Sequence, residues 1–185
     1  MNKIILALDT TNLEEAISIT KQIKNKIFTV KLGLEFFNSN SKSGIKKFND
    51  IGINNLMLDL KLNDLPTTIN RSILALKGIK FGYLTVMALG GNEMIKQAKE
   101  AANKLDPNIK ILAVTILTSI SQKELLKMGT NSSIEDMVIQ LAKNSSNADG
   151  YIASPLEAKT LREKVSKNKL IFCPGIRMLG DSKND

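Results

Sequence analysis

Met57-Leu-Asp-Leu-Lys-Leu-Asn-Asp-Leu-Pro-Thr-Thr68 holds the most distinctive pattern in this 185-residue chain. From Asn55 to Asn63 the even positions Leu56, Leu58, Leu60 and Leu62 are all leucine, and the odd positions carry Asn55, Met57, Asp59 and Lys61. Successive residues of a strand point to opposite faces, so a strand over 55–63 puts Asp59 and Lys61 on the side away from the leucines. Asp64 follows where the chain turns, and Pro66 ends the strand. Two carboxylates flanking an ammonium within six residues could hold a lysine charged and aim it at a substrate. The plain alternative is a solvated strand end with ordinary surface ion pairs.

The flanking sequence argues against that alternative. Short apolar strands are expected over 4–9, 27–32, 55–63, 83–88, 109–117, 150–153 and 170–173. Helical patterns lie between them over about 11–24, 41–51, 67–80, 92–105 and 133–144. Thr11-Asn-Leu-Glu14 and Ser121-Gln-Lys-Glu124 read as capping boxes, and Ser154-Pro155 as an N-cap followed by a proline at the first helical position. Strict alternation of strand and helix predicts a parallel sheet, either doubly wound or a (β/α) barrel. No Gly-x-Gly-x-x-Gly or Gly-x-x-x-x-Gly-Lys-Ser/Thr loop follows a strand, which weakens the nucleotide-binding open sheet. Asp9, Lys31, Asp59 with Lys61, Thr118 and Arg177 each stand at or just past a strand. A barrel builds its active site from those strand ends and the loops after them. Singly, Asp9 and Thr118 could cap the next helix and Arg177 could be a surface charge.

Composition narrows the chemistry. Hydrophobic residues make up 43% and charged residues 24% of the chain, as in an ordinary globular protein of one domain. No apolar run is long enough to cross a membrane, and Asp9 interrupts the first apolar stretch too early for a signal peptide. The single cysteine, Cys173, rules out an internal disulfide and suits the cytoplasm. The absence of histidine removes His-based triads and most zinc sites. A net charge of +8 fits an anionic small molecule better than nucleic acid, because the lysines are dispersed and few aromatics are available for stacking.

Six segments together resemble the bacterial orotidine 5′-phosphate decarboxylase family in order and spacing: Ala7-Leu8-Asp9, Val30-Lys31-Leu32-Gly33, Asp59-Leu-Lys61-Leu-Asn-Asp64-Leu-Pro66-Thr-Thr68, Ala88-Leu-Gly-Gly91, Leu117-Thr118-Ser119 and Pro174-Gly-Ile-Arg177. The resemblance covers essentially the whole chain, and the Asp-x-Lys-x-x-Asp-x-Pro-x-Thr segment is its most specific part. It implies a (β/α)8 barrel of the TIM type, a homodimer with shared active sites, and decarboxylation of orotidine 5′-phosphate to UMP without metal or other cofactor. By resemblance, Lys31, Asp59, Lys61 and Asp64 form an alternating charged array in which Lys61 protonates C6 and Asp59 orients it. Asp64 and Thr68 would reach the partner subunit's site, Asp9 would hold the ribose hydroxyls, Thr118 would lie near the pyrimidine and Arg177 near the phosphate.

Two departures stand out. Asn63 and Met87 occupy positions where the family commonly has histidine. The chain also ends at Asp185, where the family continues through a phosphate-contacting glutamine, an eighth strand and a final helix. The expectation is therefore a truncated barrel with about seven strands in one domain over 1–185. A related group with the same Asp-x-Lys-x-x-Asp core, the hexulose-phosphate synthases and keto-gulonate-phosphate decarboxylases, needs Mg2+. Pro66 with Thr68 and the Leu-Thr-Ser segment argue against it. A non-catalytic barrel that binds nucleotide weakly is the third reading.

Overall fold

The computed structural model describes residues 4–176. Seven strands form one parallel sheet in sequence order: β1 (Ile5–Leu8), β2 (Thr29–Gly33), β3 (Met57–Leu62), β4 (Tyr83–Met87), β5 (Lys110–Val114), β6 (Gly150–Ile152) and β7 (Leu170–Phe172). The connections carry α1 (Leu13–Ile23), α2 (Leu34–Asp50), α3 (Pro66–Leu74), α4 (Gly91–Leu105), α5 (Gln122–Lys127), α6 (Ile134–Asn144) and α7 (Pro155–Lys164). Each strand pairs with the next, from Ala7 beside Lys31 to Ile152 beside Phe172. β1 and β7 are the sheet edges among the described residues.

The sheet is curled, and side-chain contacts show it. Tyr83 on β4 packs against Phe172 on β7 with ring centroids 5.1 Å apart, and against Phe28, just before β2, at 5.8 Å. In a flat sheet β4 and β7 would lie about 14 Å apart. Curling brings the inner faces together, as in a (β/α) barrel. Met57, Leu112, Val114 and Ile152 form the inner cluster, with Ile5, Tyr83, Met87, Leu117 and Phe172 against it. The larger core lies between sheet and helices. There Leu56, Leu58 and Leu60 are buried with Ile69 and Ile73 of α3 and Met94, Ile95 and Ala98 of α4. The leucine face of β3 is thus the helix-facing side.

Local chemistry explains where the expected elements shift. The first helix is capped by Asn12, whose side chain accepts from Glu15 N–H, and not by Thr11. Ser121 and Glu124 do form a capping box. α3 stops at Leu74, well short of 80. The chain turns through Gly78 at φ +96°, and Lys42 Nζ donates to the carbonyls of Ala75 and Lys77. β5 ends at Val114 because its neighbour β6 offers only three residues to pair with. α2 begins at Leu34, upstream of the expected 41–51, and bends at Ser41 (φ +52°). Phe36 and Phe48 pack edge to face across that bend, their centroids 5.6 Å apart.

Candidate active site

β1, β2 and β3 lie side by side, with Lys31 in register with Met57 and Gly33 with Asp59. Side chains at the C-terminal ends of these strands therefore converge. Lys31 Nζ is 3.2 Å from Asp9 Oδ1 and 3.8 Å from Asp59 Oδ2. Lys61 Nζ donates to Asp59 Oδ2 at 2.8 Å. The result is a continuous row of alternating charge, Asp9–Lys31–Asp59–Lys61. Asp59 is its buried hinge, at 8% exposure, and Lys61 is open enough to meet a ligand. Neither Asp9 nor Thr118 is a helix cap, since Asn12 and Ser121 fill those positions.

β3 is irregular at this point. Leu58 pairs with Leu84, but the register resumes only at Leu62 with Val86, so residues 59–61 face Thr85 alone. Lys61 lies in the left-handed region at φ +45°. Its backbone N–H donates to Thr85 Oγ1 at 2.9 Å, and the Thr85 hydroxyl donates to Asp59 Oδ1, also at 2.9 Å. Thr85 is fully buried. The sequence reading missed this residue, although a signal was present. In Tyr83-Leu-Thr-Val-Met87 it shares the parity of Tyr83 and Met87, the inner face, where a lone hydroxyl among apolar neighbours requires partners.

Other expected site residues stand apart from the row. Asp64 is exposed and accepts from Leu65 N–H, with no ion pair among the described residues. Thr68 is exposed on the first turns of α3, and Thr118 is exposed beyond β5. Arg177 lies outside the described residues. Asn63 is exposed beside the Gly90-Gly91 pair. A Cβ at Gly90 would run into Met94 and lie 2.9 Å from Asn63 Oδ1, and Gly91 sits at φ +83°. Met87 borders the inner cluster. Concavities lined by Lys24, Phe28 and Asn55 and by Lys80, Phe81 and Asp106 lie at the opposite, N-terminal ends of the strands. Among the described residues no three His, Cys, Asp or Glu side chains gather as a metal site would require.

A curled parallel sheet with a charged row at its C-terminal strand ends defines the class: a (β/α)-barrel enzyme of the TIM type. The family model described as Orotidine 5′-phosphate decarboxylase / HUMPS family matches residues 2–185. An orotidine 5′-phosphate decarboxylase of Lactobacillus johnsonii is 40% identical over 190 residues, covering 98% of this chain and 80% of the relative. One from Wolbachia pipientis subsp. Culex pipiens is 38% identical over 180 residues, covering 96% and 78%. The crystal structure of the Lactobacillus acidophilus orotidine 5′-phosphate decarboxylase superposes with a TM-score of 0.84 at 37% identity, covering 96% of this chain and 82% of that one. The chain belongs to the orotidine 5′-phosphate decarboxylase / HUMPS family.

Proposed function

We propose that this chain decarboxylates orotidine 5′-phosphate to UMP, a step of pyrimidine nucleotide synthesis, without a metal or organic cofactor. The observation that carries the reading is the 2.8 Å Asp59–Lys61 pair at the strand ends of a barrel of this family. Breaking the bond from C6 to the carboxylate releases CO2 and leaves the electron pair on C6, with no adjacent carbonyl to spread it. A fixed ammonium beside C6 stabilises that pair and then delivers its proton, leaving a neutral amine that regains a proton from solvent. Lys61 takes this role, Asp59 orients it, and Lys31 faces the same Asp59 oxygen from β2. Asp9 binds the ribose hydroxyls, Thr118 lies near the pyrimidine, and Arg177 near the phosphate. Contacts to phosphate and ribose, remote from the reacting carbon, supply binding free energy for alignment.

The same reading takes 1–185 as one barrel domain acting in the cytoplasm, as half of a homodimer with shared sites. No helix among the described residues is long and apolar enough to cross a membrane. Support for the shared sites comes from the exposed Leu34 (49%), Leu65 (70%) and Leu89 (61%), which follow β2, β3 and β4 at the same strand ends as the exposed Asp64. Exposed leucines of this density suit an interface. Asp64 and Thr68 then serve the partner's substrate, Asp64 beside its carboxylate.

The test is loss of orotidine 5′-phosphate absorbance with the purified chain in EDTA, beside Lys61→Ala. Turnover in EDTA that disappears with Lys61→Ala is expected. Turnover that needs added Mg2+ would move the chain to the hexulose-phosphate branch, and UMP binding without turnover would favour a non-catalytic barrel. Mixing inactive Lys61→Ala and Asp64→Asn chains tests the sharing. Random pairing should restore roughly a quarter of the sites, because each mixed dimer keeps one intact site. No recovery, with exchange of subunits demonstrated, would show that Asp64 serves its own subunit.

A further inference from the structure

We propose that Thr85 is the positioning residue of this site, a buried hydroxyl that sets both the backbone of Lys61 and the carboxylate of Asp59. Its catalytic consequence rests on the decarboxylase reading, but its structural consequence does not. Where three residues of β3 face Thr85 alone, the ladder between β3 and β4 leaves the Lys61 N–H without a strand partner, and the Thr85 Oγ1 lone pair takes that place. The single hydroxyl proton is committed to Asp59 Oδ1, which leaves Oδ2 turned toward the ammoniums of Lys61 and Lys31. One side chain thereby fixes both ends of the pair, the strained backbone that launches Lys61 and the acceptor that receives its ammonium. Thr85 has no exposed surface and sits between Tyr83 and Met87 on the inner face, so water cannot replace it without opening the packing.

A valine at 85 keeps the branched shape and removes donor and acceptor together, whereas serine keeps both. In Thr85→Val a buried N–H and a carboxylate oxygen each lose their partner. A reacting group displaced by even a fraction of an ångström loses much of its rate. The experiment compares crystal structures and steady-state decarboxylation of the unsubstituted chain, Thr85→Val and Thr85→Ser. In Thr85→Val, Lys61 should leave the left-handed region or the Asp59–Lys61 contact should open. Its kcat should fall roughly 10- to 100-fold with KM changed by less than about threefold. Thr85→Ser should restore both geometry and kcat. A merely structural role would lower the melting temperature without this kcat-specific loss or its rescue by serine. Unchanged Lys61 and Asp59 geometry in Thr85→Val overturns the proposal, and so does an unchanged kcat. Should the unsubstituted chain fail to turn over, the decarboxylase reading fails separately, and the crystal structures alone decide whether Thr85 sets the pair.

Discussion

Lys61 concentrates the strain of the site in one residue. A non-glycine residue in the left-handed region costs roughly 1–2 kcal/mol, and here the residue at φ +45° is the one whose ammonium meets Asp59. Replacing it separates backbone from charge. Lys61→Ala and Lys61→Gly both lose the ammonium and should both abolish turnover. Glycine alone relieves the positive φ, so Lys61→Gly should be more stable than Lys61→Ala by about 1 kcal/mol, or about 2–4 °C in melting temperature. At an ordinary strand position the order reverses, because glycine lacks side-chain packing and has more chain entropy to lose. Melting curves of the two variants decide it. Asp59→Asn keeps the shape and the Thr85 partner but not the charge that holds two ammoniums; kcat should fall roughly 100-fold or more, read by the same absorbance assay. That Asp59 and Lys61 share a side was legible from the leucine alternation of β3. The positive φ was not, because it arises where β3 slips against Thr85, and a slip is a property of two strands.

At the scale of elements, helix ends and bends depend on a few contacts. Gly44 lies inside α2, where alanine would ordinarily add helix propensity of about 1 kcal/mol. A Cβ there would come within 2.5 Å of Asn40 Cβ and 3.2 Å of the Phe36 ring. Gly44→Ala should therefore lower the melting temperature, and a rise would show that the bend at Ser41 yields easily. At α5, the backbone N–H of Ser121 and then its hydroxyl hold the Glu124 carboxyl below the usual glutamate range. A depressed folded-state value means stabilisation that is present above the unfolded-state value and lost as pH falls through the folded one. Ser121→Ala removes only the hydroxyl, so the Glu124 titration midpoint, followed by NMR, should rise part of the way toward that of an unstructured glutamate. The Ser121 cap was readable from four residues of sequence. The upstream half of α2 was not, because the Phe36–Phe48 contact that joins the halves spans the bend and leaves no local pattern in the sequence.

 The polar run Asn38-Ser39-Asn40, just ahead of the expected 41–51 helix, reads as a loop, since such side chains compete with the helix for backbone hydrogen bonds, and the two halves of α2 meet at the bend at Ser41.

Across the whole molecule the two ends of the barrel divide the work. The C-terminal strand ends carry Asp9, Lys31, Asp59 and Lys61, and the N-terminal ends carry a stabilising clasp. Lys99 Nζ donates to both Asp149 oxygens, at 2.9 and 2.7 Å, and to the carbonyl of Ile109, and Asp149 Oδ2 accepts from Ile111 N–H. Lys169 adds bonds to the carbonyls of Ser146 and Ala148. The barrel class and the strand-end residues were legible because alternation and polarity repeat along the chain. The clasp was not, because Lys99 and Asp149 are 50 residues apart and meet only once α4 packs against β5 and β5 pairs with β6. Asp149→Ala leaves the Ile111 amide without its acceptor and Lys99 without its counter-charge, its remaining bond being to the Ile109 carbonyl, which should cost about 1–3 kcal/mol, while kcat stays as it was because the charged row is at the other end. The pH dependence gives the sharper test. Burial pushes the Lys169 amine below its ordinary value and Asp149 pulls it partly back, so losing Asp149 lowers it further. Between the folded and unfolded values the unfolded chain binds more protons, so stability rises with pH through that window. The melting-temperature deficit of Asp149→Ala should therefore be larger near neutral pH and shrink as pH rises through the Lys169 titration. A deficit that stays constant with pH would place the loss in the Ile111 amide bond alone and leave the lysines of the clasp without a share in it.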